Sequence, residues 1–337
     1  MQKRDFYFLL PVGITLIAAV FIELVLSGHA PSLVPAPQFV FPGLADHLRD
    51  LAWVRVSRGA AKVDFANVAG RWVVVQKDNY PAAPAKLRGL LDGLAELTLI
   101  EPDAKRSADS DIDAASAGEP VLITLRGRTG STVAKAVVAP APAAAPAEVG
   151  NAVYVRQSGA ERASLARGSV DLSGDLLGWL DRGIIDLPQT RVASLKLTDV
   201  EGAVLAITRN SPDAAFAITD LPEGARLKID AGLSDLTGAL AELAFDDVKP
   251  LALVELPENG LARAQFATFD GLTIDLRLLR QEGTDWIAVT ASGTGAAEAE
   301  SNAINEKLSR WIYAIPAARS KLLRTRLDDL TEPVKGL

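Results

Sequence analysis

The stretch Ala264–Ala291, AQFATFDGLTIDLRLLRQEGTDWIAVTA, decides the fold that this sequence predicts. It contains three apolar, alternating runs, at Ala264–Thr268, Leu272–Arg280 and Trp286–Ala291. The pairs Asp270-Gly271 and Glu282-Gly283 separate these runs. Asp-Gly between apolar runs is a strong hairpin signal, because glycine readily adopts the positive φ that a tight turn requires. The stretch therefore predicts an antiparallel meander of three strands.

One order of elements occurs twice in the chain: short strands, an amphipathic helix and then a meander. In the first copy the strand patterns lie at Trp53–Ser57, Val63–Phe65, Arg71–Val75, Val121–Leu125, Thr132–Val138, Val153–Arg156 and Arg162–Ala166. In the second copy Ser194–Thr198, Val204–Arg209 and Phe216–Ile218 precede the meander already described. This repetition predicts a duplicated domain.

The helix patterns support the same duplication. The segment Pro84–Leu97 places five leucines on one face and has proline at its start. A second helix is predicted with Ser234 as its N-cap, and Leu-Ala-Glu-Leu closes both helices, at 94–97 and 240–243. Each half is also predicted to end in a tryptophan-bearing helix, at Ser173–Asp181 and at Ser301–Tyr313, and a final helix covers about 317–330.

The predicted fold class is α/β (α+β-like). It consists of two tandem related lobes of mainly antiparallel sheet with packed helices, plus one N-terminal transmembrane helix. The predicted segments are a cytoplasmic tip at 1–5, a transmembrane helix at 6–26, a proline-rich stalk at 27–45, a first lobe at 46–190 and a second lobe at 191–337.

The N-terminal segment Phe6–Leu26 is apolar apart from Glu23. Its 21 residues span roughly 30 Å as a helix, which is the thickness of the hydrocarbon core. The preceding Lys3 and Arg4 favour a cytoplasmic N-terminus and a body on the far side of the membrane. The predicted anchor positions are Phe6, Leu10, Leu16, Phe21 and Leu26. A cleaved signal peptide ending near Gly28-His29-Ala30 is the alternative.

Composition excludes several kinds of chemistry. The 337 residues include no cysteine and only two histidines, His29 and His47, so disulfides, thiolate nucleophiles and a Ser-His-Asp triad in the body are excluded. The formal charge of −7 argues against nucleic acid as a partner. The sequence predicts no catalytic residue, no cofactor and no metal site.

Two motifs resemble known ligand loops but depart from them. Asp109–Asp113 begins like a calcium loop, yet Ala114 and Pro120 occupy the positions where an EF-hand needs glycine and glutamate. Gly293–Glu298 begins like a dinucleotide fingerprint, yet Glu298 replaces the third glycine and places a negative charge where a pyrophosphate would lie. We interpret both as ordinary loops.

The final predicted helix carries a basic cluster. It consists of Arg319, Lys321, Arg324 and Arg326, and we expect these residues to form a candidate partner-binding face. A solvated helix face is the alternative interpretation.

Four features together resemble the DUF4340 domain family. They are Arg71–Val74 running into Tyr80-Pro81-Ala82 and a leucine helix, Val153–Arg156, the Trp179 segment, and Trp311–Pro316 with Leu322 and Leu323. The similarity extends from about 50 to 330. The chain departs from the commoner family pattern at Ala82-Ala83, where family members often have an acidic residue after the Pro-Ala pair.

The resemblance implies a function but no catalytic site. Members of this family are bacterial membrane-anchored proteins, often linked with ABC transporters of the gliding-motility auxiliary type. It implies a non-enzymatic periplasmic accessory subunit whose partners are the permease and ATPase subunits, with the bilayer contacted through residues 6–26. Two alternatives remain open: a periplasmic carboxylate-based glycan or peptidoglycan enzyme, and a membrane-tethered envelope scaffold without a transporter.

Overall fold

The computed structural model describes residues 37–101, 119–140, 151–172, 175–257 and 259–333. The pattern of contacts within the chain divides it into two compact units, residues 1–39 and residues 40–337. Every feature described below lies in the unit of residues 40–337. The predicted anchor at 6–26, most of the predicted stalk at 27–45 and the motif Asp109–Asp113 lie outside the described residues. Within the described ranges, no helix is long and apolar enough to cross a membrane.

Nine strands form the first sheet, and all neighbouring pairs in it are antiparallel. They are β1 (Leu51–Arg58), β2 (Ala61–Val68), β3 (Arg71–Val74), β4 (Tyr80–Pro81), β5 (Thr98–Glu101), β6 (Val121–Gly127), β7 (Thr132–Pro140), β8 (Ala152–Gln157) and β9 (Ser164–Arg167). Their order across the sheet is β4-β3-β2-β1-β6-β7-β8-β9-β5.

Eight strands form the second sheet, which is also antiparallel. The remaining strands are β10 (Gly183–Ile185), β11 (Val192–Thr198), β12 (Val204–Thr208), β13 (Ala217–Ile218), β14 (Ala225–Leu227), β15 (Leu243–Ala244), β16 (Asp247–Pro250), β17 (Ala262–Thr268), β18 (Leu272–Gln281), β19 (Thr284–Gly293), β20 (Trp311–Ala314) and β21 (Thr331–Pro333). The order in the sheet is β13-β12-β11-β17-β18-β19-β20-β16, and β10 with β15 and β14 with β21 form two-stranded pairs.

The two sheets have the same strand order. Strands β1 to β3 correspond to β11 to β13, strands β6 to β9 correspond to β17 to β20, and β5 corresponds to β16. With this correspondence each strand has the same neighbours in both sheets, and only the edge strand β4 has no counterpart. The antiparallel meander predicted at Ala264–Ala291 is present as β17, β18 and β19. The prediction of mainly antiparallel sheet with packed helices is therefore confirmed.

In the described ranges, six α-helices accompany the sheets. They are α1 (Leu44–His47), α2 (Pro84–Glu96), α3 (Leu233–Thr237), α4 (Glu298–Leu308), α5 (Ala317–Leu323) and α6 (Leu327–Leu330). Helix α2 begins at Pro84, as predicted, and its leucines at 87, 90, 91 and 94 are buried in the core.

Side chains along β1 alternate between the two faces of the sheet. Val54 and Val56 are buried in the core, whereas Arg55 is partly exposed on the opposite face.

Several predicted helices are wrong or too long. Helix α3 has Gly232 rather than Ser234 as its N-cap and ends before Gly238, so Leu243 lies in β15. The predicted helix Ser301–Tyr313 ends at Leu308, because the apolar run that follows forms strand β20. The described part of Ser173–Asp181 contains only a 3₁₀ turn at Leu177–Trp179, and the final helix is split into α5 and α6.

The two sheets meet at Tyr80. Its ring packs edge-on against three rings of the second half, with centroid distances of 5.3 Å to Phe245, 4.9 Å to Trp311 and 6.3 Å to Tyr313. The hydroxyl of Tyr80 donates to the carbonyl of Asp181 at 3.1 Å. Strand β10 pairs with β15 across the same boundary. This aromatic junction joins both halves into one hydrophobic core.

Burial raises the pKa of the Tyr80 and Tyr313 phenols well above the ordinary value of 10.0. A phenol with a raised pKa in the folded state keeps its proton at a pH where the unfolded chain loses it. The junction therefore contributes stability that is fully present below pH 10 and is lost as the pH rises further.

We expect the variant Tyr313→Phe to lose less free energy of unfolding than the wild type between about pH 9 and 11, because it lacks one of the buried phenols. Urea titrations at each pH measure this loss. Tyr154→Phe is the matched control, since Tyr154 is only half-buried. Equal alkaline losses in the Tyr313 variant and the wild type would contradict the assignment.

Candidate functional site

A cleft of about 970 Å³ opens beside the second sheet. Its walls are the turn between β18 and β19, the residues at the end of β20, and helices α5 and α6. Its charged lining residues are Asp230, Asp246, Arg280, Asp285, Lys321, Arg324 and Asp329. The cleft therefore presents both cationic and anionic groups.

Asp285 is the buried centre of this cleft, with 7% of its surface exposed. Arg324 donates to Oδ1 through Nε at 2.9 Å, and its Nη2 lies 2.7 Å from the same oxygen. The hydroxyl of Ser320 donates to Oδ2 at 2.5 Å, and Nη1 of Arg280 lies 3.5 Å from Oδ2. A buried carboxylate needs such partners, because removal from water is costly without them.

Local structure explains why helix α5 delivers these donors. The backbone N–H of Ile315 donates to the carbonyl of Asp285 at 3.1 Å, which fixes the chain just before the helix. Pro316 then serves as the N-cap of α5. Ser320 and Arg324 lie four residues apart, and the Arg324 N–H donates to the Ser320 carbonyl, so both side chains share one helical face.

The arrangement around Asp285 suits structure and recognition better than proton transfer. Both carboxylate oxygens accept donors from the protein, and the nearest cation, Arg324, has 23% of its side chain exposed. A general acid or base needs an oxygen that reaches a substrate proton. The Asp285 carboxylate instead holds α5 against the sheet and sets the position of the cations that line the cleft.

Lys321 is an exposed cation of the cleft. It lines the cleft and is exposed, and no hydrogen bond or ion pair joins its ammonium group to another residue of the described ranges. Arg280 is 62% exposed, and among the residues that the structure describes its one ion pair is the long contact to Asp285. These two side chains add positive charge at the open side of the cleft.

The structure divides the predicted basic cluster. Lys321 and Arg324 line the cleft together. Arg319 instead donates to the carbonyls of Gly238 and Ala241, at 3.3 and 2.9 Å, and so ties α5 to the segment after α3. Arg326 lies 3.1 Å from both Asp199 and Glu201.

The residues that sequence reasoning missed are Asp285, Ser320 and Arg280. One signal was available for Asp285, which interrupts the alternation at the start of β19 with a charge on the buried side of the strand. Ser320 carries no such signal, because a serine in a helix is ordinary. The pairing becomes visible only when α5 is placed against β19.

The glycine motif at 293–298 is explained by packing. A Cβ at Gly293 would lie 2.2 Å from the carbonyl oxygen of Ala297, so glycine is required where the chain turns tightly into α4.

In the part of the chain that the structure describes, no group of three His, Cys, Asp or Glu residues is placed to hold a metal ion.

Comparison with known proteins identifies one family. A family model described as "Domain of unknown function (DUF4340)" matches residues 72–264, more than half of the chain, from β3 to the first strand of the second meander. No curated protein and no solved structure matches the chain.

We expect Arg324→Met to lower the free energy of unfolding by about 2–4 kcal/mol, because Asp285 would lose its principal buried partner. Lys321→Met should change it by less than about 0.5 kcal/mol, since Lys321 is exposed. Urea denaturation of both variants gives the comparison. Adding Asp285→Asn to Arg324→Met should recover part of the loss, and a double variant no more stable than Arg324→Met would argue against an ion-pair origin.

Proposed function

The chain belongs to the DUF4340 family, and from this premise we propose that it is a non-enzymatic accessory subunit of an ABC transporter. One N-terminal helix holds it in the bacterial inner membrane, with the N-terminus in the cytoplasm and the body in the periplasm. The body couples the permease to a substrate or to an envelope partner, while ATP is hydrolysed by another subunit.

The observation that carries this proposal is the apolar run at residues 6–26, preceded by Lys3 and Arg4. Its length suits a transmembrane helix, and the two basic residues favour a cytoplasmic N-terminus. More than 300 residues follow it, so the folded unit at 40–337 is the part that would act beyond the membrane.

We also propose that the body is a tandem duplication, with lobes at 46–190 and 191–337. The shared strand order of the two sheets supports this division. A body of two similar lobes joined by one aromatic junction suits a role in contacting partners, because each sheet carries exposed charged residues, such as Lys62 and Lys196.

The cleft around Asp285 is the contact that we assign to a transporter partner. Lys321 and Arg280 place exposed positive charge at its open side, and Asp230, Asp246 and Asp329 add acceptors. This mixture suits a polar protein segment that contains both carboxylates and donors. Electrostatic complementarity of this kind gives specificity and speeds association.

Purification of the tagged full chain from membranes in mild detergent tests the accessory role. We expect an ATPase and a permease to be recovered with it. Lys321→Glu should reduce their recovery at least about tenfold, because a reversed charge would repel the partner group that the lysine attracts. Arg88→Glu, an equal change at an exposed position on α2, should leave the recovery unchanged.

The possible outcomes separate the two parts of the proposal. Recovery of the chain without an ATPase or a permease would contradict the accessory role. Recovery of the full complex with the Lys321→Glu variant would retain that role but would exclude the cleft as the contact.

A further inference from the structure

The six strands β1, β2 and β6 to β9 are strongly basic. They contain seven cations, which are Arg55, Arg58, Lys62, Arg126, Lys135, Arg156 and Arg167, and a single acid, Asp64. The corresponding strands of the second sheet, β11, β12 and β17 to β20, contain four cations and two acids. Because the chain as a whole carries a charge of −7, this concentration of positive charge is local.

The strand register places six of these cations on one face of the sheet. Residues directly opposite each other on paired strands share a face, as do residues two apart along a strand. The opposed pairs are Arg55 with Asp64, Arg55 with Thr124, Thr124 with Lys135, Trp53 with Arg126, Ser57 with Lys62, Val137 with Arg156 and Ala152 with Arg167. The seventh cation, Arg58, donates to the carbonyl of Leu172.

This basic face is open. On the opposite face of the sheet, Val54, Ile123 and Val155 are buried in the same core as the leucines of α2, whereas Lys62, Arg126, Lys135 and Arg167 are exposed. Asp64 is already occupied by Arg55, whose nitrogens lie 2.5 and 2.9 Å from its two oxygens. No ion pair joins the four exposed cations to an acid of the described ranges.

We propose that this basic face lies on the anionic phospholipid headgroups of the membrane that carries the protein. This rests on the proposed anchor at 6–26. The six cations are spread over six neighbouring strands, about 24 Å across at the usual strand spacing. A face of this width meets several headgroups at once, and each basic residue near an anionic surface raises binding about fivefold.

Two aromatic residues make the face suited to a membrane surface. The guanidinium groups of Arg55 and Arg126 both lie 4.7 Å from the ring centroid of Trp53. Tyr154 stands two residues before Arg156 on the same face. Tryptophan and tyrosine favour the interface between headgroups and water. The two guanidinium groups also cover Trp53, which removes the free ring surface that single-stranded nucleic acid uses for base stacking.

The length of the connecting chain agrees with this location. The 13 residues at 27–39, between the apolar run and Val40, can extend to about 45 Å at most. A tether of this length gives the unit a high effective concentration at the surface of its own bilayer. Weak contacts from individual basic residues then suffice for docking.

The full chain in lipid nanodiscs provides the test. The chain contains no cysteine, so Ser158→Cys, next to Lys135 at the edge of the basic face, accepts a single fluorescent donor. Acceptor-labelled lipid in the disc reports the distance. We expect energy transfer to rise when about 30% phosphatidylglycerol replaces phosphatidylcholine, and to fall again in about 0.5 M salt, because salt screens surface charges.

Matched charge variants identify the face. The triple variant Lys62→Gln, Lys135→Gln and Arg167→Gln should lower the docked population by at least tenfold, given about fivefold for each residue. The control carries Lys196→Gln, Arg263→Gln and Arg277→Gln on the second sheet and should keep the full response. An equal loss in both variants would overturn the proposal, since it would indicate attraction by net charge alone.

Other outcomes overturn the proposal in distinguishable ways. Energy transfer that is independent of phosphatidylglycerol, in chain that has entered the disc, would exclude lipid docking and leave the anchor intact. Failure of the chain to enter discs would contradict the proposed anchor and this inference with it. If soluble polyglutamate abolishes the response to phosphatidylglycerol and binds more tightly than the lipid, the face belongs to an acidic polypeptide instead.

Discussion

The packing of Tyr80 against Phe245, Trp311 and Tyr313 is the interaction on which the rest of the structure depends. Edge-on aromatic pairs of this kind add about 0.5–1.5 kcal/mol each beyond the apolar surface that they bury. The junction is surrounded by polar contacts between the halves, such as the salt bridge of Arg182 with Asp246 at 3.0 Å. It joins two sheets of the same strand order into one core.

The family motifs are explained by this junction. The carbonyl of Trp72 accepts the N–H of Ala82, the carbonyl of Trp179 accepts the N–H of Ala83, and the ring of Trp179 packs on Phe65. These backbone contacts hold the segment that carries Tyr80. Three residues of the family motifs, Tyr80, Trp311 and Tyr313, therefore join the sheets, which is why the motifs predict the architecture and leave the activity open. The charged residues of the Asp285 cleft lie outside those motifs, and of the six cations on the basic face only Arg156 lies within one.

Local signals predicted the meander and helix α2, because Asp270-Gly271 and the leucines of Pro84–Leu97 act over a few residues. The second Leu-Ala-Glu-Leu was misread, since its last leucine pairs opposite Ile185 in another strand. The short apolar run at Trp311 fits a helix or a strand equally well until its partners β16 and β19 are known. The cleft depended on contacts between residues 35 and 39 positions apart, Ser320 and Arg324 with Asp285, and no sequence pattern reports those.

The central claim is that a membrane anchor holds this unit beyond the inner membrane. Labelling of the single-cysteine variant Ser158→Cys in intact bacterial cells tests it most directly, because the natural chain has no cysteine and gives no background. A thiol reagent that crosses the outer membrane but not the inner membrane should label the variant fully in the membrane fraction. Labelling that requires disruption of the inner membrane, with the chain recovered in the cytosol, would contradict the account.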